Sequence, residues 1–71
     1  MTRDEWVADF AAELGVDPPD AATVETLLAL AGTAAHASER TAAPIACYLV
    51  GVARVDPATA AAIAAAMAGE D

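Results

Sequence analysis

The sequence contains no lysine, one cysteine, one histidine and three aromatic residues, Trp6, Phe10 and Tyr48. Without lysine, only Arg3, Arg40 and Arg54 stand against eleven acids, and the formal net charge is −8. A chain so acidic repels a phosphate backbone, so no nucleic-acid partner is expected, and an anionic membrane surface is disfavoured for the same reason. One cysteine excludes an internal disulfide, and Cys47 is expected to pack as a small apolar side chain. A single histidine beside a single cysteine excludes a zinc site built on several such ligands. The four glycines, at positions 15, 32, 51 and 69, are isolated, so no glycine-rich loop cradles a phosphate. With neither a nucleophile–base pair nor a metal cage, the sequence offers no catalytic residue, metal or cofactor, and a non-enzymatic protein is expected. Long apolar runs are also lacking. Ala42–Ala53, interrupted by Pro44 and Gly51, and Ala58–Ala68 fall well short of the ~20 residues that span a bilayer. Asp4 and Glu5 stand where a secretory leader carries positive charge, so a cytoplasmic location is expected.

What the chain does have is alanine. Twenty-two of the 71 residues are Ala, so the 58% hydrophobic fraction overstates the bulk available for a core. A length of 71 residues fits one domain, residues 1–71, which would bury about 60% of the surface its unfolded form exposes. Alanine-rich helices pack closely but gain little apolar area per residue, at roughly 25 cal/mol per Å². A partner or a second copy is therefore a natural source of further stability. The charge is uneven: residues 1–40 carry eight acids and two arginines, net −6, against net −2 for residues 41–71. That acidic front half can steer a basic partner surface or simply keep the protein soluble.

Hydrophobic spacing and capping signals predict an all-α fold, a compact bundle of about four short helices. Thr2 followed by Glu5 is a capping-box pattern, Trp6, Val7, Phe10 and Leu14 recur at helical spacing, and Gly15 is a stop signal. Asp17-Pro18-Pro19-Asp20 is a rigid turn, with Val16 folding back as an apolar contact and an aspartate capping a second helix over about Ala21–Ser38. Val24, Leu27, Leu28, Ala31, Ala34 and Ala35 are expected to form its buried face. Gly32 in its middle suggests either close approach of another helix or drift on an exposed face. Thr41 is expected to cap a third helix over about Ala43–Ala53, with Pro44 in its first turn. That helix is apolar all round, which predicts burial on most sides. Ala43, Cys47 and Gly51 make a smooth strip along it, while Ile45, Tyr48, Leu49 and Val52 supply bulk. Asp56-Pro57 opens a fourth helix, Ala58–Ala68, with Ile63 and Met67 as its large residues, and Gly69-Glu70-Asp71 reads as a frayed acidic end.

One polar cluster stands out. His36, Glu39 and Arg40 are neighbours at helical spacing near a helix end. Either they form a partner or anion site, with Arg40 offering a fork to carboxylate or phosphate, or His36 and Arg40 cap the last carbonyls and Arg40 pairs with an acid of the first helix. Trp6, Phe10 and Tyr48 are expected first as core residues and second as a binding patch. A short acidic helical chain with a central serine also invites comparison with carrier proteins. There, however, the modified serine begins a helix, whereas Ser38 in Ala37-Ser38-Glu39 ends one.

Asp4-Glu5-Trp6 with Glu13-Leu14-Gly15, together with Ala35-His36, Glu39-Arg40, Ala42-Ala43-Pro44, Tyr48-Leu49 and Gly51-Val52-Ala53, resembles a small helical domain of unassigned function from high-GC bacteria. That domain occurs alone or fused behind molybdenum cofactor guanylyltransferase, and the resemblance covers most of residues 4–53. It implies an accessory module for molybdopterin guanine dinucleotide biosynthesis. The transferase chemistry belongs to a separate domain with a glycine-rich, lysine-containing loop, so no catalytic residue carries over. The expected function is a non-catalytic protein-interaction module with His36, Glu39, Arg40 and Tyr48 as its candidate contacts. Its partner would be a guanylyltransferase or a molybdoenzyme. The alternatives are an anion-binding domain, a self-assembling homo-oligomer and, remotely, a carrier-like domain.

Overall fold

A computed structural model describes residues 1–69. It is an all-α bundle of four short helices: α1 (Arg3–Leu14), α2 (Ala21–Ala37), α3 (Ala42–Ala53) and α4 (Pro57–Met67). Among the described residues there is no strand. Glu70 and Asp71 of the expected acidic end lie outside the described residues.

Local chemistry sets three of the four helix starts. At α1 the Thr2 hydroxyl accepts from the Glu5 amide at 3.1 Å, and the Glu5 carboxylate accepts from the Thr2 amide at 2.8 Å, completing the capping box. Asp20 caps α2, its carboxylate accepting from the Thr23 amide at 2.7 Å. Asp56 caps α4 through the Ala58 and Thr59 amides, with Pro57 in the first turn. The start of α3 differs from expectation. Thr41 is already in the right-handed helical region and its side chain makes no capping hydrogen bond. The chain enters α3 instead through a turn in which the amides of Ala42 and Ala43 donate to the carbonyls of Glu39 and Arg40. The helix therefore begins at Ala42, one residue earlier than predicted.

α2 is the central element, packed against both α3 and α4, while α1 has no comparable partner. Most of its predicted inward face holds, with Val24, Leu27, Ala31, Ala34 and Ala35 half-buried. Leu30, absent from the expected face, is 3% exposed, whereas Leu28, placed on it, is exposed. Thr26 and Thr33, which share the half-buried side with Leu27, Leu30 and Ala34, donate their hydroxyls to the carbonyls of Ala22 and Ala29 at 3.0 and 3.1 Å, which satisfies the polar group within the helix.

Among the described residues only Ala11, Leu30 and Ala60 are buried. The expectation that α3 is covered on most sides does not hold within this chain. Its small residues Ala43, Ala46 and Cys47 turn inward with Val50, and Ile45, Tyr48, Leu49 and Val52 face out. Small side chains let two helices approach closely, so Ala43 and Cys47 of the expected strip are used; Gly51 is not, being exposed with nothing within 4 Å of where its Cβ would lie, and the bulk ends up on the opposite side. Trp6, Phe10 and Leu14 are likewise exposed, with Val7 and Ala11 making the inward edge of α1. Val16 donates its amide to the Ala11 carbonyl, but its side chain stays in solvent. Gly32 does not mark a close helix approach, since a Cβ there would meet nothing within 4 Å.

The bundle measures 36 × 23 × 19 Å with a radius of gyration of 12.6 Å, against about 11 Å for a compact chain of this length. Its accessible surface is 5335 Å², whereas a compact monomer of 7.1 kDa is expected to expose about 4,100 Å². The excess is on the order of 1,000 Å², in a chain that is elongated and exposes many large apolar side chains.

Candidate interaction surface

Two apolar surfaces lie open to solvent, and they differ in electrostatics. On α1, Trp6 and Phe10 stack with ring centroids 5.0 Å apart and planes 26° from parallel. Both rings are about half exposed, at 55% and 48%, so the stack forms a ridge rather than a core contact. Leu14 continues it by one turn. Asp4, Glu5, Asp9 and Glu13 are exposed on the same helix, and the one ion pair among the described residues joins Arg3 to Asp4 at 2.9 Å. Both partners of that pair are in solvent, where such a contact is worth less than about 1 kcal/mol. The ridge thus shares its helix with exposed acids.

The second surface has no charged residue. α3 presents Ile45, Tyr48, Leu49 and Val52 at the i, i+3, i+4, i+7 spacing of a single helix face. Tyr48 is 69% exposed. Leu49 and Ala53 also line an open apolar groove of about 560 Å³, floored by Leu30 of α2 and bounded by Ile63 and Met67 of α4. A smaller cleft of about 440 Å³ lies between α1 and the start of α2, lined by Val7, Pro18, Pro19 and Val24 among others.

The expected site residues divide between these features. Tyr48 sits in the middle of the α3 stripe. His36 is exposed in the last turn of α2, and Glu39 and Arg40 are exposed on the connection to α3; Ala37 and Ser38 between them line the groove. Among the described residues no hydrogen bond or ion pair joins the three to one another or to α1. The cap at the end of α2 is Ser38, whose amide and hydroxyl donate to the Ala34 carbonyl at 3.2 and 3.0 Å. Ser38 therefore fills the role the sequence suggested for His36 and Arg40. Trp6 and Phe10, for which a place in the core was expected ahead of a binding patch, stand exposed as a ridge, and the groove is a feature that the sequence did not mark as a site.

The Thr23 backbone amide, followed by the Thr23 hydroxyl, holds the Asp20 carboxyl below its ordinary value. This is the effect of an N-cap, where hydrogen bonds favour the charged form. Among the described residues no three His, Cys, Asp or Glu side chains converge as a metal cage would require. No helix among them is long and apolar enough to cross a membrane.

Comparison with known families matches residues 1–70 to a domain of unknown function (DUF6457). The chain belongs to that family. No curated protein and no solved structure matches it. DUF6457 carries no assigned activity, so the functional reading rests on the surfaces described above.

Proposed function

We propose that this DUF6457 chain is a non-catalytic, cytoplasmic protein-interaction module whose partner serves molybdenum cofactor assembly. The observation that carries the interaction reading is the Trp6–Phe10–Leu14 ridge, exposed on a helix that also exposes Asp4, Glu5, Asp9 and Glu13. Monomeric proteins seldom leave large apolar patches in water, and aromatic anchors dominate interface energetics. Those acids select a partner surface with a basic rim and speed encounter with it. The link to molybdenum cofactor is supported by the resemblance of residues 4–53 to the domain fused behind the guanylyltransferase.

The test is a titration of the purified chain with molybdenum cofactor guanylyltransferase and, separately, with a molybdoenzyme, read by the emission of Trp6. Saturable binding with a blue-shifted emission is expected from one of the two. Trp6 is the only tryptophan, so a partner containing its own requires calorimetry instead. Phe10→Ala should weaken the complex at least about tenfold, as loss of an aromatic anchor does. Arg40→Ala asks whether the α2–α3 connection is part of the contact. A well-folded Arg40→Ala variant with unchanged affinity removes His36, Glu39 and Arg40 from the interface. No binding to either protein removes the molybdenum cofactor assignment.

A further inference from the structure

We infer that the α3 face is the interface of a two-fold homodimer, an assembly separate from the partner contact at α1. The amount of uncovered surface fits a second copy. A stable interface of standard size takes about 800 Å² from each partner, and the chain exposes on the order of 1,000 Å² more than a compact monomer of its mass. Covering α3 and the adjoining groove would bring each chain close to the compact value.

Charge favours this face over the other. Neither α3 nor α4 contains an Asp, Glu, Lys or Arg, although the whole chain carries −8. Two copies meeting through α3 keep their acids apart. Two copies meeting through α1 would set Asp4, Glu5, Asp9 and Glu13 of one against the same four of the other, which long-range repulsion opposes.

The stripe is also self-complementary. Its four large residues are symmetrical about the Tyr48–Leu49 peptide bond. An antiparallel α3 from a second copy, related by a two-fold axis through that point, sets Ile45 opposite Val52 and Tyr48 opposite Leu49 of its partner. An isologous contact needs this pairing, in which each residue meets the other's counterpart on both sides of the axis. A 12-residue helix is about 18 Å long and gives too little area alone. Leu49 lies both on the stripe and on the groove, so the apolar surface runs on to Ile63 and Met67 of α4, which supply the remainder.

Sedimentation equilibrium of the purified chain tests the inference. The expected species has twice the 7.1 kDa chain mass at tens of micromolar, and its Tm rises with protein concentration as an assembly-linked transition must. Leu49→Glu should give a helical monomer with a concentration-independent Tm, and Trp6→Glu should leave the dimer intact. If Leu49→Glu does not fold, Tyr48→Ala is read instead, with dimer dissociation expected to strengthen at least about tenfold. A wild-type chain that stays at 7.1 kDa at hundreds of micromolar overturns the inference. So does a dimer that Trp6→Glu breaks and the α3 variants leave unchanged, or an open-ended series of higher oligomers. None of these readouts involves the cofactor-assembly partner, so the dimer and the partner contact stand or fall separately.

Discussion

α1 and α3 are both 12 residues long, and they are built in opposite ways. α1 is specified locally at both ends: a capping box at Thr2 and Glu5 starts it, and Gly15, at φ 78°, ends it in the left-handed conformation that glycine adopts without penalty. α3 has no side-chain cap at its start and ends on Arg54, at φ 57° the one non-glycine residue with positive φ among those described. α3 nonetheless packs against the central helix, while α1 meets the rest of the bundle mainly through Val7 and Ala11. Short isolated helices are marginal in water, so α1 leans on its caps and α3 on its docking. Helix order in this chain thus has two sources, local capping at α1 and packing at α3.

The largest expected effect breaks the docked half. Leu30 is buried beneath the groove between α3 and α4, and Leu30→Ala should cost about 2–5 kcal/mol. A domain of this size has about 4–10 kcal/mol in total, so the variant should be largely unfolded near 37 °C, as followed by far-UV circular dichroism. Phe10→Ala removes a bigger side chain from α1 but one about half in solvent, and a loss on the order of 1 kcal/mol is expected. Urea titrations of the two variants compare the halves directly. A Phe10→Ala loss equal to that of Leu30→Ala would show that α1 is anchored as firmly as α3.

The next effect repairs one helix end and damages the other. Arg54→Gly removes the left-handed penalty at the end of α3 and should stabilise by about 1 kcal/mol. Gly15→Ala imposes the same penalty on α1 and should destabilise by a similar amount. In a domain of 60–100 residues such changes move Tm by roughly 4–8 °C in opposite directions. Equal and same-signed shifts would mean that conformation at these two positions does not govern the helix ends.

The same contrast explains what could be read from the sequence. The four helices, three caps and both proline turns were legible because each rests on a few adjacent residues: Thr2 with Glu5, Asp20 with Thr23, Asp56 with Pro57. The sidedness of α3 was not, nor was the place of Leu30 on α2. Leu30 shares the inward side with Thr26 and Thr33, whose hydroxyls are satisfied within the helix, which a polar-or-apolar reading of threonine conceals. An all-apolar α3 has no polar face to fix its orientation, so periodicity could not tell that alanine would turn in and Tyr48 out. His36, Glu39 and Arg40 were legible as a cluster, but their spacing assumed a continuing helix. Ser38 ends α2 before Glu39, and the geometry that would have joined them is lost.

The smallest effect concerns the junction between the two halves, where Asp20 caps α2. Its carboxyl is held below the ordinary aspartate value by the Thr23 amide, and then by the Thr23 hydroxyl, so the folded chain binds the proton less readily than the unfolded one. The resulting stabilisation is fully present above the ordinary value and is lost as pH falls through the folded one. Asp20→Asn keeps an acceptor at the cap but cannot titrate there, since asparagine is an equally good capping residue. Thermal unfolding of wild type and Asp20→Asn across the acid range should therefore converge at low pH, with any wild-type advantage appearing as pH rises past the carboxylate range. Asp20 is in solvent, so added salt should shrink that advantage. Parallel curves at every pH would show that the cap acts through its hydrogen bond alone, and that charge at this junction contributes nothing to holding α2 in place.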